Sequence, residues 1–287
     1  MRQVRLKKAF LPVLMLLLLW QCKKKDNIPP EKTFLPSVSE YNYAYGPAPT
    51  QNMDVFIPAG KRDTMKLLVM VHGGSWISRD KSDFSPWFEY EKQRQHYAVI
   101  NINYRLDSYA TRPVPMQTDD IRSAIEKVRH DFHLPARRIG LLGMSAGGHL
   151  VTLYAYKYDT EHNVKTVVDF VGPVDFTDPV YHSGRHWPYI FSGIEYIFNM
   201  PYRGNEDYYR SVSPYYNVDA QSPPTIMFYG GQDTLVPASQ GVRLRQQLNR
   251  FSVPNELYIY PGSPHTFNDT DATDAFWKAE RFMSEYL

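Results

Sequence analysis

A serine lies between two glycines at the point where a predicted strand meets a predicted helix. Residues 143–147 read Gly-Met-Ser-Ala-Gly; they follow the apolar run Arg138 to Leu142 and precede the helix-like run His149 to Tyr156. A serine on such a sharp turn exposes its hydroxyl, and flanking glycines avoid collisions with the neighbouring backbone. Ser145 is therefore the predicted nucleophile, although an ordinary turn would also accommodate this short pattern.

A second glycine-rich segment, His72-Gly73-Gly74-Ser75-Trp76, follows the apolar run Lys66 to Val71. Paired glycines let the backbone aim its N–H groups at one point, which stabilises the oxyanion that develops during acyl transfer. Gly73 and Gly74 are the predicted donors, and Ala146, directly after the serine, supplies a third. His72 is interpreted as a brace for this loop, and a plain glycine turn remains the alternative.

An aspartate and a histidine follow two later strands. Asp233 lies in Gly230 to Pro237, after the run Thr225 to Tyr229, and His265 lies in Gly262 to Phe267. With Ser145 they occur in the order serine, aspartate, histidine, which is one chain order of a catalytic triad. His265 would take the serine proton and return it to the leaving group, and Asp233 would orient the imidazole.

Other polar residues compete for these roles. Asp175 follows the run Thr166 to Val171 and is the alternative acid, but the Gly-Gly-Gln-Asp context favours Asp233. His149 lies four residues after the serine and is predicted to be a packed core histidine. His182 and His186 have the spacing of a metal pair, but no glutamate-bearing zinc motif accompanies them, so no metal site is predicted.

The elements that position these residues form an α/β pattern. Short runs rich in Val, Ile, Leu and aromatics lack strict alternation, which is typical of parallel strands covered on both faces. Ile121, Ala124, Ile125 and Val128 have the spacing of one helix face. We therefore predict a mostly parallel central sheet with helices on both faces and an antiparallel hairpin within Tyr41 to Ile57. The predicted parallel strands are Lys66–Val71, Ala98–Asn103, Arg138–Leu142, Thr166–Val171, Thr225–Tyr229 and Glu256–Tyr260.

The stretch 175–222 interrupts this rhythm. It is rich in Tyr, Trp, Pro and His and contains no obvious strand, so it is interpreted as a cap inserted over the site. Aromatic side chains in such a cap suit stacking on a ring-bearing substrate, and structural packing is an equally good explanation of them. Trp76 and Trp187 are the predicted substrate-binding residues.

Composition excludes several functional classes. The chain has 287 residues, of which 43% are hydrophobic and 22% charged, which fits one large globular domain. A net charge of +2 gives no basic field for nucleic acid, and a single cysteine excludes a disulfide framework. No cofactor is predicted. Oligomeric state is left open.

The first residues read as an export signal. Basic residues precede the apolar run 9–20, which is too short for the roughly 20 residues that span a bilayer. The only cysteine, Cys22, follows this run at a position that resembles the lipobox of bacterial lipoproteins, although Gln21 departs from that pattern. We expect a signal peptide at 1–21, a lipid-anchored tether at 22–40 and a hydrolase domain at 41–287. An exported lipoprotein, periplasmic or on the cell surface, is the first interpretation, and a plain export signal with an incidental thiol is the alternative.

From Asp54 onward these motifs resemble those of α/β-hydrolases of the hormone-sensitive-lipase-like and carboxylesterase type. The resemblance implies an α/β-hydrolase fold and cofactor-free hydrolysis of a carboxylic ester through an acyl-enzyme. It carries the catalytic roles to Ser145, Asp233 and His265. The expected substrate is a small-molecule or glycan ester with an acetyl or short acyl group. An amide hydrolase of the formamidase or peptidase type and a noncatalytic binding protein on a hydrolase scaffold remain alternatives.

Overall fold

Eight strands form one twisted sheet in the computed structural model, which describes residues 34–106 and 112–287. Two further short strands pair with each other outside this sheet. In chain order the strands are β1 (Phe34–Leu35), β2 (Val38–Ala44), β3 (Asn52–Ile57), β4 (Gly60–Lys61), β5 (Leu67–Val71), β6 (Ala98–Ile102), β7 (Ile139–Met144), β8 (Val164–Phe170), β9 (Thr225–Gly230) and β10 (Asn255–Tyr260).

The main sheet has the order β10-β9-β8-β7-β5-β6-β3-β2. The six strands β5 to β10 run parallel, whereas β3 pairs antiparallel with β6, and β2 pairs antiparallel with β3 at the edge. The predicted mixed sheet, its parallel strands and its edge hairpin are therefore confirmed. Because parallel strands end at the same edge of a sheet, the loops after β5, β7, β9 and β10 lie side by side.

Strand β5 illustrates why these segments are buried on both faces. Leu67, Val69 and Val71 pack into one hydrophobic core, and Leu68 and Met70 pack into the other. All five side chains are fully buried. Successive side chains of a strand point to opposite faces, so a continuous apolar run fits a sheet that is covered on both sides.

Helices supply that cover. Residues of α2, α3 and α6 belong to one core, and residues of α1 and α7 belong to the other. The predicted helix around Ile121 is part of α2. The helices of the described residues are α1 (Ser85–Arg94), α2 (Pro113–Asp131), α3 (Ala146–Leu153), α4 (His186–Ile197), α5 (Glu206–Ser211), α6 (Ser239–Arg250) and α7 (Asp269–Tyr286).

The segment predicted as a cap is helical. It contains α4 and α5, together with short 3-10 turns at Pro179–His182 and Pro214–Asn217. In α4, Phe191, Ile194 and Ile197 are buried at helical spacing. The apolar residues of this segment therefore pack inward as one face of a helix. The helical spacing is hard to recognise in the sequence because aromatic residues are frequent throughout the segment.

The N-terminal predictions lie mostly outside the described residues. The predicted signal peptide at 1–21, Cys22 and the tether up to residue 33 are among the residues that the structure does not describe. Residues 34–40, predicted as the end of the tether, include β1 and the start of β2. Phe34 and Leu35 of β1 pair with Lys61 and Gly60 of β4. The part of the chain that folds with the sheet thus begins before the predicted boundary at 41. Within 34–106 and 112–287, no helix is long and apolar enough to cross a membrane.

Candidate active site

The turn after β7 holds Ser145 in a strained conformation. Its φ of 55° and ψ of −120° are unfavourable for a residue with a side chain, and its N–H donates to the Phe170 carbonyl at 2.7 Å. A Cβ on Gly143 would lie 2.3 Å from the Gly147 carbonyl oxygen, and one on Gly147 would lie 2.1 Å from that of Val71. Both contacts are with backbone, which cannot move aside, so this turn requires its two glycines.

Three side chains form one hydrogen-bonded chain at this edge of the sheet. His265 Nε2 lies 3.0 Å from Ser145 Oγ, and His265 Nδ1 lies 2.7 Å from Asp233 Oδ2. The other carboxylate oxygen, Asp233 Oδ1, accepts the N–H groups of Leu235 and Val236 at 2.7 and 2.9 Å. With Oδ1 held in this way, Oδ2 is fixed toward the imidazole, and the arrangement can move a proton from the hydroxyl to His265.

The loop after β5 packs directly against the serine. A Cβ on Gly73 would lie 3.3 Å from Ser145 Cβ and 3.0 Å from the Met144 carbonyl oxygen. Gly74 adopts a φ of +105°, and a side chain there would meet the Ser78 carbonyl oxygen at 2.0 Å. The structure therefore places Gly73 against the nucleophile, and Gly74 lines the same cavity as Ser145. Glycine is required at Gly74 by both conformation and space.

Ala146, the third predicted donor, is the first residue of α3. N–H groups in the first turn of a helix lack internal carbonyl partners, and they lie at the positive end of the helix dipole. Negative charge that develops beside Ser145 would thus meet both the glycine loop and the N-terminus of α3.

Tyr104 fixes the back of the glycine loop. Its hydroxyl lies 3.1 and 3.0 Å from the carbonyl oxygens of His72 and Gly73, and its ring stacks on the His72 imidazole at 4.3 Å. His72 Nδ1 also lies 2.7 Å from the Gly73 oxygen. These contacts hold the carbonyls on the buried side of the loop. No motif in the sequence marks Tyr104; its position two residues after β6, the neighbour of β5, is the signal that could have identified it.

His149 is a packed core residue, as expected. Its Nδ1 accepts the Trp76 indole N–H at 3.1 Å, and its Nε2 lies 2.8 Å from the Val212 carbonyl oxygen. A ring that accepts at one nitrogen and donates at the other is neutral. Burial lowers the pKa of His149 to about 4, which is consistent with that state.

The alternative acid is engaged elsewhere. Asp175 Oδ2 accepts from Arg243 Nε at 2.7 Å, and its Oδ1 accepts both the N–H and the hydroxyl of Thr177 at 2.8 Å. The structure thus places Asp233, and not Asp175, at the imidazole of His265.

The two cap histidines each contact a backbone carbonyl oxygen. His182 Nε2 lies 3.1 Å from the Phe176 carbonyl oxygen, and His186 Nε2 lies 2.7 Å from that of Thr234. Each imidazole nitrogen in these contacts has its own backbone partner. Across residues 34–106 and 112–287, no group of His, Cys, Asp and Glu side chains has an arrangement suited to a metal ion.

Ser145 opens into a cavity of about 580 Å³ beneath the cap. Gly73, Gly74 and Trp76 line it from the sheet side, and Ile190 and Ile194 line it from α4. Trp76, predicted to bind substrate, lines this cavity, but it is only 3% exposed and its N–H is occupied by His149.

Trp187 does not line this cavity, contrary to its predicted position. It is partly buried against Tyr181, with the ring centroids 6.2 Å apart, and against His186 at 4.8 Å. Trp187 is the second residue of α4, and the face of that helix that carries Ile190 and Ile194 lines the cavity with Ser145.

Three comparisons with known proteins relate this chain to hydrolases. A protein-family model described as BD-FAE matches residues 53–248. The chain is 26% identical over 241 residues to the rat acylamino-acid-releasing enzyme, covering 77% of this chain and 31% of that protein. It is 25% identical over 240 residues to a probable carboxylic ester hydrolase, LipM, of Mycobacterium tuberculosis, covering 77% and 54%. The chain thus spans about a third to a half of the length of these relatives.

A solved structure titled as a truncated carbohydrate esterase from gut microbiota has a similar fold. The TM-score is 0.69 at 22% identity, and the match covers 88% of this chain and 99% of that one. The predicted α/β-hydrolase fold is therefore confirmed by the observed sheet and by this likeness. Since the family model spans most of the sheet, including the glycine loop, Ser145 and Asp233, the chain belongs to the BD-FAE family.

Proposed function

We propose that this protein is a serine hydrolase of carboxylic esters. The observation that carries the proposal is the hydrogen-bonded chain from Ser145 through His265 to Asp233, with Gly73 packed against the serine. The relationship to LipM, whose name describes a probable ester hydrolase, supports the same activity.

The geometry supports a specific catalytic role for each of these residues. His265 accepts the Ser145 proton as the oxygen attacks the ester carbonyl, and Asp233 stabilises the imidazolium that results. The N–H groups of Gly73, Gly74 and Ala146 receive the oxyanion. His265 then donates its proton to the departing alcohol, and a water molecule repeats the sequence to release the acid from the acyl-enzyme.

The substrate class that we propose is a small acyl ester, acetyl or short acyl, whose alcohol is a small molecule or a glycan. The cavity of about 580 Å³ is closed on one side by Ile190 and Ile194 of the cap, which suits a short apolar acyl group. The solved structure named as a carbohydrate esterase makes a sugar-linked ester a reasonable first substrate to test.

Replacement of the nucleophile tests the activity. We expect Ser145→Ala to lower kcat for p-nitrophenyl acetate by about 10⁴-fold or more, because loss of a catalytic serine leaves only binding and oxyanion stabilisation. A fluorophosphonate probe should label wild type and not this variant. Ser284→Ala, which changes an exposed serine at the end of α7, is the matched control and should retain both turnover and labelling. A wild-type protein that neither turns over esters nor reacts with the probe would leave only a binding role.

A second candidate is hydrolysis of N-acylated amino-acid amides. The similarity to acylamino-acid-releasing enzymes favours it, and the same triad chemistry would serve an amide. The test compares kcat/KM for N-acetylalanine p-nitroanilide with that for p-nitrophenyl acetate. A ratio above one for the anilide would replace the ester assignment.

We further propose export and lipid anchoring through Cys22. The support is the basic start of the chain, the apolar run 9–20 and the cysteine directly behind it. Wild type expressed in a bacterial host should fractionate with membranes, and Cys22→Ala should move to the soluble fraction. Gln21→Gly, which brings the sequence closer to the lipobox, should stay membrane-bound. A Cys22→Ala protein that remains with the membranes would refute the anchor.

A further inference from the structure

A second cavity adjoins His265 and is not lined by the glycine loop at 72–76. It has a volume of about 480 Å³, and it shares five lining residues with the cap cavity: Asp83, Phe84, Met144, His265 and Thr266. Ser145, Gly73 and Gly74 line the cap cavity and do not line this one. Aromatic side chains from several elements form its wall: Phe84, Trp87, Tyr90, Phe170, Phe267 and Phe276.

The wall is held by ring contacts and one polar anchor. Trp87 packs against Phe276 and Phe170, with ring centroids 4.6 and 5.8 Å apart, and Phe276 packs against Tyr90 at 5.0 Å. The Trp87 indole N–H donates to Glu280 Oε1 at 3.3 Å, which fixes the tilt of the indole. The cavity therefore presents ring faces and edges in set orientations, a surface that suits another flat ring.

The chemistry of acylation determines which part of an ester meets this wall. In the tetrahedral intermediate the carbonyl oxygen lies at Gly73 and Gly74, and the bond between the acyl carbon and Ser145 Oγ has formed. The bond from that carbon to the alcohol oxygen then breaks, and the alcohol oxygen takes the proton from His265 Nε2. The alcohol must therefore leave next to His265, and of the two cavities that His265 lines, the aromatic one is not lined by the glycine loop that receives the carbonyl oxygen.

We infer that the aromatic cavity is the subsite for the leaving alcohol and that it accepts an apolar, ring-bearing alcohol such as an aryl or arylalkyl group. This inference rests on the proposed ester hydrolysis. It separates the two halves of the substrate, with the acyl group beneath the cap and the alcohol against Trp87 and Phe276.

The test varies the alcohol at a fixed acyl group. We expect Phe276→Ala to lower kcat/KM for benzyl acetate relative to ethyl acetate by about tenfold, since one wall of the ring site is lost. Deacylation of the acetyl-enzyme, measured as the steady rate after the burst with p-nitrophenyl acetate, should stay within about twofold of wild type, because the alcohol has already left. Phe251→Ala, an exposed aromatic directly after α6 that lines neither cavity, is the matched control and should change neither value.

A second measurement covers the case in which Phe276→Ala does not fold. Phe276→Leu keeps most of the volume, and partition of the acetyl-enzyme between water and added benzyl alcohol reports the same subsite in reverse. The yield of benzyl acetate should fall in this variant relative to the yield of ethyl acetate from ethanol. If the variants slow deacylation and leave the alcohol preference unchanged, the cavity holds the acyl group; if neither changes, it is not a substrate subsite. Absence of any wild-type ester turnover would instead count against the proposed function itself.

Discussion

We predict that a buried carboxyl group next to the turn of Ser145 makes the stability of this protein depend on pH. Asp169 in β8 is fully buried, and its Oδ1 accepts the Gly172 N–H at 2.9 Å. Its Oδ2 lies 2.9 Å from the Tyr229 hydroxyl, which itself lies 2.6 Å from the Gly172 carbonyl oxygen. Burial raises the pKa of Asp169 to about 7, although the bonds from Tyr229 and Gly172 oppose that rise. The protonated acid fits the site, because Asp169 can donate to Tyr229 while Tyr229 donates to Gly172.

The direction and size of the effect follow from linkage. Between the unfolded pKa of 3.8 and the native pKa of about 7, the native state holds a proton that the unfolded state has released. The stabilisation from this group is complete below pH 4 and is lost as pH rises through 7. Since one pH unit of separation corresponds to about 1.4 kcal/mol, the loss amounts to about 4 kcal/mol in the free energy of unfolding.

Asp169→Asn isolates this contribution. The asparagine cannot ionise, and its amide can accept from Gly172 and donate to Tyr229 in the same places. We expect the free energy of unfolding of the variant, minus that of wild type, to rise by about 4 kcal/mol between pH 4 and pH 8. Urea unfolding followed by tryptophan fluorescence at each pH measures the two free energies of unfolding. The contributions of the other titrating groups cancel when one is subtracted from the other. A difference that stays constant with pH would refute the assignment of a protonated Asp169.

Three further substitutions probe the candidate site. Tyr104→Phe removes the anchor of the glycine-loop carbonyls, so steady-state kinetics should show kcat about tenfold lower with KM within twofold. Gly147→Ala would press a methyl group into the backbone of β5, so it should lower the free energy of unfolding by about 3 kcal/mol. Its control, Gly262→Ala, has no atom within 4 Å of the added Cβ and should leave the free energy of unfolding unchanged. Asp233→Asn should lower kcat by about 10⁴-fold. Asp175→Asn should lower the melting temperature but keep kcat within about threefold of wild type. Equal effects of the two substitutions on kcat would contradict the assignment of Asp233 as the catalytic acid.

The sequence predicted the sheet well because its signal is local. A parallel strand covered on both faces must be apolar at nearly every position, and Leu67 to Val71 shows this in five consecutive residues. The glycine pattern around Ser145 was equally informative, since the backbone contacts at Gly143 and Gly147 forbid other residues. At such positions the fold permits only one kind of residue, so the residue type alone predicts the local structure.

Other features depend on contacts between distant segments, and the sequence did not predict them. Tyr104 acts on a loop near residue 73, and nothing in its immediate surroundings marks that role. Trp187 was expected at the substrate because it is an aromatic in a cap, but the orientation of α4 determines which of its faces reaches Ser145. The aromatic cavity brings together Trp87 of α1 and Phe276 of α7, which are far apart in the sequence and meet only in the folded protein.

Close backbone packing separates the part of this protein that must stay fixed from the part that can vary. The nucleophile turn, the glycine loop and β5 approach one another closely at Gly73 and Gly147. A side chain at Gly147 would collide with backbone, and one at Gly73 would press against Ser145. In the cap, Gly193 of α4 lines the same cavity and has no atom within 4 Å of an added Cβ. A side chain at Gly193 would therefore narrow the cavity without straining the fold. Changes in acyl preference should consequently arise in α4, while the chemistry at Ser145 tolerates little change in the backbone beneath it.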